Sequence, residues 1–306
     1  MVDRAFDIYK DIEKISFFGG EPLLLENRRI IEYIVESKPN VIYSMMTNGY
    51  YLEEFCDVFK NKKVECIQVT MDGSEEIHNK SRILKNGKGT FQKIMRGIHK
   101  ALECKYPIRI RMNVNEKNIN NCIKFREELY EELEENEKLI SFEIYPMFQT
   151  NKKTNLLKKL YKEDLNSGEV DKIIKKNNIL CSGLPIENYF ISNMALKPII
   201  NYCEAHNNKR FLDVEGNIYS CILSVGKQEM SIGKFYPEYK KKDKSFITRD
   251  ISKINECKKC KYAFLCGGGC PLQLASNSQD IYKPNCGGMY NALNCTLPCI
   301  IGKREV

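Results

Sequence analysis

The 306-residue chain has no tryptophan, only three histidines and no long run of apolar residues. No stretch approaches the roughly 20 apolar residues that cross a bilayer. Residues 1–14 alternate charged with single apolar side chains, which is unlike a hydrophobic export signal. We therefore expect a cytoplasmic protein without a membrane partner. With 42% hydrophobic and 29% charged residues, its composition is typical of a folded globular protein.

The net charge of +8 comes largely from lysine-rich stretches, such as Lys152-Lys153 and Lys240–Lys244. Such stretches can attract a polyanion. Because the chain lacks tryptophan, has few histidines and shows no recognisable nucleic-acid motif, we interpret them as solvated surface or as a weak attractor for an acidic peptide. No nucleic-acid partner is expected.

Fourteen cysteines in a chain without an export signal indicate metal or redox chemistry, because cytosolic thiols are normally kept reduced. Four of them are scattered through the first half at apolar positions of predicted helices and strands, where we expect small buried hydrophobic residues. These four are Cys56, Cys66, Cys104 and Cys122. The other ten follow residue 180, so the chemistry is concentrated in the C-terminal part.

Between residues 14 and 148, short β-rich runs alternate with amphipathic stretches, which predicts repeated βα units and an α/β fold. The predicted strands are Ile15–Phe18, Val41–Met46, Val64–Met71, Ile108–Val114 and Ile140–Tyr145. Apolar residues recur at helical spacing over 91–102 and 119–133. The units would form a barrel or an open parallel sheet, with functional residues at the carboxyl ends of the strands.

We expect three regions along the chain: the βα units over 1–150, a helical bridging segment over 151–200, and a cysteine-rich domain over 201–306. Near the start of the third region, Arg210–Val214 and Asn217–Cys221 flank a turn at Glu215-Gly216. This pattern predicts a β-hairpin.

The cysteine spacing in the third region is Cys257-x2-Cys260-x5-Cys266-x3-Cys270, followed by Cys286. Cys266 and Cys270 enclose three glycines, which let the backbone turn tightly around sulfur ligands. Thiolates at these spacings can converge on one metal centre. A zinc-ribbon site is the alternative, since it also uses two-residue cysteine spacings.

Upstream of this run stands Cys203-x12-Gly216-x4-Cys221, and the complete arrangement resembles the seven-cysteine pattern of SPASM domains. The resemblance implies two auxiliary [4Fe-4S] clusters. The first would bind Cys257, Cys260, Cys266 and Cys286, and the second Cys203, Cys221 and Cys270. Its fourth ligand stays open between Cys181, the Cys295 and Cys299 pair, and substrate. Seven ordered thiolates favour iron and sulfur over zinc.

A second motif, Gly19-Gly20-Glu21-Pro22, directly follows the first predicted strand. It resembles the GGEP motif of radical S-adenosylmethionine (radical SAM) enzymes, in which it contacts the amino group of the cofactor's methionine part. Polar residues at later strand ends also resemble the family. The resemblance implies that Thr70 and Asp72 lie near the ribose, and that Asn48, Arg82 and Asn113 line the cofactor or substrate cavity. Alternatively, Asp72 belongs to an ordinary turn and Arg82 to a surface salt bridge.

The resemblance as a whole implies a partial (β/α) barrel of radical SAM type that lacks its first unit, followed by a small cysteine-rich SPASM domain. The family's three-cysteine motif, with three and then two residues between cysteines, is missing, and only eighteen residues precede Gly19. Its thiolates hold the cluster that donates the electron for cleaving S-adenosylmethionine. We therefore expect either a fragment or mis-started reading of a longer enzyme, or a remnant that has lost turnover.

For the complete enzyme, the resemblance implies hydrogen abstraction from a peptide or protein substrate, followed by oxidation or thioether-type crosslinking. A reductant such as flavodoxin or ferredoxin would supply electrons, and no catalytic residue is assigned. Anaerobic sulfatase maturases are an alternative, but they carry an Asp where Ile222 follows Cys221 here. Another alternative is a non-catalytic iron–sulfur carrier or peptide-binding remnant, and a zinc-ribbon nucleic-acid binder comes third.

Overall fold

Six parallel strands form one sheet in the computed structural model, which describes residues 1–114, 118–146, 179–181, 198–203, 209–242, 248–276 and 280–286. The strands are β1 (Lys14–Phe17), β2 (Ile42–Thr47), β3 (Lys63–Thr70), β4 (Ile108–Val114), β5 (Ile140–Pro146) and β6 (Ile179–Cys181). Each strand pairs in parallel with the next along the chain. Five of these strands lie within two residues of their predicted positions, whereas β6 was not predicted.

Helices connect the strands, as parallel neighbours require. In the first half of the chain the described helices are α1 (Val2–Ile8), α2 (Arg28–Ser37), α3 (Leu52–Phe55), α4 (Glu75–Ser81), α5 (Phe91–Glu103) and α6 (Ile119–Glu132). The alternation of strands and helices confirms the predicted α/β fold. No helix in the described ranges is both long and apolar enough to cross a bilayer.

One face of the sheet packs against the helices. On α5, Ile94, Ile98 and Ala101 recur every three or four residues and are at most 1% exposed. They belong to the same buried cluster as Ile67 and Val69 of β3. Burying a side chain of this kind contributes roughly 1.5–3 kcal/mol, so this cluster is the main source of stability of the sheet. The core therefore lies between the sheet and its helices.

A second sheet is antiparallel and has the strand order β10-β9-β8-β7. Its strands are β7 (Phe211–Leu212), β8 (Asn217–Tyr219), β9 (Gly233–Lys234) and β10 (Lys240–Lys241), and two short helices follow, α7 (Ala263–Cys266) and α8 (Pro271–Ser276). Strands β7 and β8 form the predicted hairpin. Ala5 of α1 packs with Ile218 and Phe235, so the N-terminal helix belongs to this sheet.

The backbone divides into two compact units, Asp11–Gly183, and Met1–Lys10 with Leu184–Val306. Most of the expected region 1–150 lies in the first unit, and region 201–306 lies in the second. The expected bridging segment 151–200 lies outside the described residues, except for β6 and residues 198–200.

Candidate functional site

The GGEP segment follows β1 and turns toward the end of β2. Gly19 and Gly20 have φ values of 96° and 54°, in the region that favours glycine. The turn brings the Glu21 carboxylate to three donors. One oxygen accepts hydrogen bonds from the Leu23 amide (3.0 Å) and the Thr47 hydroxyl (2.5 Å), and the other accepts one from the Asn48 amide (2.6 Å).

Glu21 therefore fixes the end of β1 to the end of β2. A carboxylate has about four acceptor positions, so three donors leave capacity for one more, such as an ammonium group. Pro22 is buried, and its carbonyl accepts a hydrogen bond from the Asn27 side chain (3.0 Å). The Asn48 side chain is exposed and accepts a hydrogen bond from the Tyr50 amide (2.8 Å).

A second network lies at the ends of β3 and β4, where Asp72 joins two other predicted site residues. Its Oδ2 accepts a hydrogen bond from Arg82 Nε (2.6 Å), and its Oδ1 accepts from the Asn113 side-chain amide (3.2 Å). Arg82 therefore forms a salt bridge with Asp72, whose side chain is largely buried, and its role in lining the cavity stays a prediction. Thr70, the last residue of β3, pairs in register with Arg111.

His78 is completely buried behind this network. The Thr90 hydroxyl donates to the Arg82 carbonyl (2.7 Å), so it accepts from His78 Nε2 (3.1 Å). Nδ1 is then the acceptor for the Asp72 amide (3.3 Å). Burial, with Arg82 nearby, lowers the pKa of His78 to about 4, so the ring is neutral at pH 7. His78 therefore positions the Asp72 turn as a neutral side chain.

The sequence did not single out a polar row on the sheet face opposite the core. The register places Gln68 beside Arg109, and Arg111 beside Glu143. Gln68 and Glu143 are each 7% exposed. The sequence does indicate this row, because polar and apolar residues alternate along β3 and β4. A strand whose two faces are both covered by apolar side chains would instead have a continuous apolar run.

In the second unit, a glycine turn closes the cysteine loop. α7 ends at Cys266, and Gly267, Gly268 and Gly269 then have φ values of 63°, 82° and 73°. The Asn285 amide donates to the Gly268 carbonyl (3.0 Å). The segment that contains Cys286 is therefore hydrogen-bonded to the glycine turn.

Four of the predicted cluster ligands line one cavity of about 40 Å³, namely Cys257, Cys260, Cys266 and Cys286. That volume has room for more than one water-sized atom. No three Cys, His, Asp or Glu side chains in the described part of the chain converge tightly enough to hold a single metal ion. The four thiols instead surround the cavity.

The electrostatics of these thiols disfavour charge unless a cation is present. Burial raises the pKa of Cys257 to about 11, and the neighbouring thiols of Cys266, Cys286 and Cys260 add to the effect. Burial also raises the pKa of Cys266 and of Cys286. Since a metal ion deprotonates a coordinating thiol, the donor set fits a cationic metal core between the four sulfurs.

The second predicted set is only partly described. Burial raises the pKa of Cys221, and Cys270 lies near enough to raise it further. Both Cys270 and Cys203 lie near enough to Arg249 to act on its charge. Cys181 ends β6 in the other unit, opposite Ile144. Cys295 and Cys299 lie outside the described residues, so the fourth ligand stays open.

The scattered cysteines of the first unit have a different environment. Cys56 and Cys122 are 3% and 0% exposed within the main core, whereas Cys66 and Cys104 are half-buried. Burial raises the pKa of Cys56 and of Cys122 to about 12 in each case. Cys56 and Cys122 are thus small core residues, in agreement with the sequence interpretation.

The hairpin that leads to Cys221 depends on one carboxylate. Asp213 accepts hydrogen bonds from the amides of Glu215 (3.0 Å) and Asn217 (2.8 Å), and from the Tyr219 hydroxyl (2.9 Å). Burial by itself would raise the pKa of Asp213. The hydrogen bonds from Asn217, Tyr219 and Glu215 outweigh burial and hold the pKa below its ordinary 3.8.

An Asp213→Asn variant should therefore have a lower free energy of unfolding than the native protein at neutral pH. The difference in free energy of unfolding between the two proteins should decrease in acid. The pKa of Asp213 is lower in the folded protein than its ordinary 3.8. The charged carboxylate therefore stabilises the fold above pH 3.8, and this stabilisation is lost as the pH falls through the folded-state pKa. Urea unfolding of the metal-free chain between about pH 6 and pH 2 checks this. The exposed Glu229→Gln is the control, and a difference that does not change with pH would contradict the prediction.

These sites can be compared with known proteins. Residues 1–143 match the sequence profile of the Radical SAM superfamily. The chain is also homologous over most of its length to the cysteine-type anaerobic sulfatase-maturating enzyme of Clostridium novyi (strain NT). The two are 24% identical over 293 residues, which is 88% of this chain and 76% of the relative.

Solved structures agree on the fold. The structure of anSMEcpe with bound AdoMet matches with a TM-score of 0.67 at 20% identity, over 100% of this chain and 84% of that chain. The anSMEcpe structure with bound AdoMet and Cp18Cys peptide matches with a TM-score of 0.63 at 20% identity, over 100% and 89%. The comparisons favour a relationship to sulfatase maturases over the broader peptide-maturase expectation.

Proposed function

We propose that this chain provides the S-adenosylmethionine-binding site and the auxiliary iron–sulfur clusters of a radical SAM enzyme of the anaerobic sulfatase-maturase type, which acts on a cysteine in a peptide or protein substrate. The observation that carries the proposal is the convergence of Cys257, Cys260, Cys266 and Cys286 around one cavity. The homology to a cysteine-type maturase over 88% of the chain supports the substrate class.

The cavity supports a polynuclear core over a zinc ion. Soft thiolates suit both metals, but a structural zinc site draws four sulfurs to about 2.3 Å from a single ion. Here the sulfurs surround a cavity of about 40 Å³. Cys203, Cys221 and Cys270 would contribute to a second cluster.

The first unit's residues would bind and orient S-adenosylmethionine. Glu21, held by Thr47 and Asn48, offers its remaining acceptor position to the ammonium group. Asp72 fixes the side chains of Arg82 and Asn113 at the neighbouring strand ends. When bound, S-adenosylmethionine would supply the radical that removes a substrate hydrogen, with an electron from the cluster that the three-cysteine motif holds in this family.

The three-cysteine motif for the cluster that cleaves S-adenosylmethionine does not occur in these 306 residues, so the residues present are assigned to binding and electron transfer. Ile222 stands where sulfatase maturases carry an Asp, and its side chain cannot accept a proton. A small reductant such as flavodoxin or ferredoxin is the proposed electron source.

The test is the iron content of protein purified and reconstituted without oxygen. Two [4Fe-4S] clusters give about eight iron atoms per chain, and Cys257→Ser should reduce this to about four because one ligand set is broken. Cys104→Ser, a half-buried cysteine of the first unit, is the control and should retain the native content. A colourless protein that binds zinc in place of iron would overturn the proposal.

A further inference from the structure

Arg249 is the largest fully buried side chain among the described residues, at 1% exposure. Among the described residues, the hydrogen-bond acceptors of its guanidinium are all main-chain carbonyls. Nη1 donates to Gly269 (3.0 Å), Nη2 donates to Gly268 (2.8 Å) and Lys283 (3.0 Å), and Nε donates to Ile281. One side chain thus joins the glycine turn to the segment that precedes Cys286.

These acceptors pair four of the five N–H groups of the guanidinium but do not neutralise its charge. Across the described ranges, no salt bridge links Arg249 to a carboxylate. A buried cation without an opposite charge costs several kcal/mol. Lysine or arginine is therefore rarely found in such a position unless an anion is close by.

Cysteine sulfurs from both predicted ligand sets lie near Arg249, and they would become anionic thiolates on binding a metal. Burial lowers the pKa of Arg249, and the thiolates of Cys257, Cys270, Cys266 and Cys203 act in the opposite direction. Cys257 and Cys266 belong to the first set, and Cys270 and Cys203 to the second. The hydrogen bonds from Arg249 to the Gly268 and Gly269 carbonyls place its guanidinium on the loop between Cys266 and Cys270, which joins the two sets.

We infer that Arg249 is the shared counter-cation of the two cysteine-ligated sites. Its four hydrogen bonds hold the segments of the sites in place, and its charge favours reduction of the bound clusters. This rests on the proposed function, because a thiolate-ligated cluster supplies the negative charge that the buried guanidinium lacks. Reduction adds one electron to a cluster and makes it more negative, so a fixed cation nearby stabilises the reduced form.

Two variants separate the charge from the scaffold. Arg249→Gln retains a hydrogen-bond donor but removes the charge, whereas Arg249→Lys retains the charge but loses the forked donor geometry. Arg126→Gln is the control, because Arg126 is 5% exposed but belongs to α6 of the other unit. The full chain is reconstituted anaerobically and titrated with dithionite, and its iron content and cluster midpoint potentials by electron paramagnetic resonance are recorded.

Arg249→Gln should make one-electron reduction of at least one cluster tenfold less favourable, a decrease of about 59 mV. Arg249→Lys and Arg126→Gln should remain near the native potential. If the Gln variant loses its clusters while the Lys variant keeps them, the requirement for charge is likewise supported.

The role of the charge would be overturned if the Gln variant kept the native midpoint potentials. It would also be overturned if the Gln and Lys variants showed equal shifts in midpoint potential or lost equal amounts of iron. Either result would leave the proposed function intact. A native protein without iron would overturn both.

Discussion

A Gly269→Ala variant should lose on the order of 3 kcal/mol or more of stability and most of the iron bound through Cys286. Gly269 has φ of 73°, and an added Cβ would lie 2.0 Å from the Asn285 carbonyl oxygen. That atom is main chain, so it cannot swing aside as a flexible side chain can. The 285–286 segment would have to move away from the loop.

The movement would break the hydrogen bond from the Asn285 amide to Gly268 (3.0 Å) and withdraw one of the four sulfurs from the cavity. Gly226→Ala is a matched control, because Gly226 has φ of 85° but no atom within 4 Å of an added Cβ. It should show only the strain of the left-handed conformation, about 1–2 kcal/mol. Urea unfolding and iron analysis measure both variants, and equal losses would refute the steric explanation.

Replacement of Glu21 by Gln should lower stability by roughly 1–3 kcal/mol and weaken S-adenosylmethionine binding at least tenfold. Both Glu21 oxygens accept hydrogen bonds, from the Thr47 hydroxyl (2.5 Å) and the Asn48 amide (2.6 Å). A Gln side chain must turn its NH2 group toward one of these donors. It also lacks the negative charge that favours an ammonium group.

Calorimetric titration with S-adenosylmethionine and thermal unfolding test the two effects separately. Glu26→Gln is the control, because Glu26 is an exposed carboxylate five residues away in the chain. It should change neither quantity. Native affinity in a destabilised Glu21→Gln variant would assign Glu21 a purely structural role at the end of β2.

The strands were predictable because their signal is local. Ile108–Val114 was predicted with the bounds observed for β4, since Ile108, Ile110 and Met112 alternate with polar residues. The strand β6 was missed because its three residues, Ile179–Cys181, are too few for an alternation to be recognised. Its place in the sheet comes from pairing with β5.

The candidate sites divide in the same way. The spacing from Cys257 to Cys270 is a local pattern, and the amino-acid order alone indicates these four thiols as candidate ligands. The GGEP segment is also local, but it indicated Glu21 only through the family resemblance. The hydrogen bonds of Asp72 to Arg82 and Asn113 depend on strands β3 and β4 being neighbours. The sequence suggested these residues only through the family resemblance.

By itself, the sequence determined the order of the strands and helices and the cysteine spacing, because both follow from residues close together in the chain. Only the tertiary structure brought Cys286 to the loop that contains Cys266, and α1 to the C-terminal sheet. It also buried Arg249, which in the sequence looks like any surface cation, since burial depends on packing between segments that are distant along the chain.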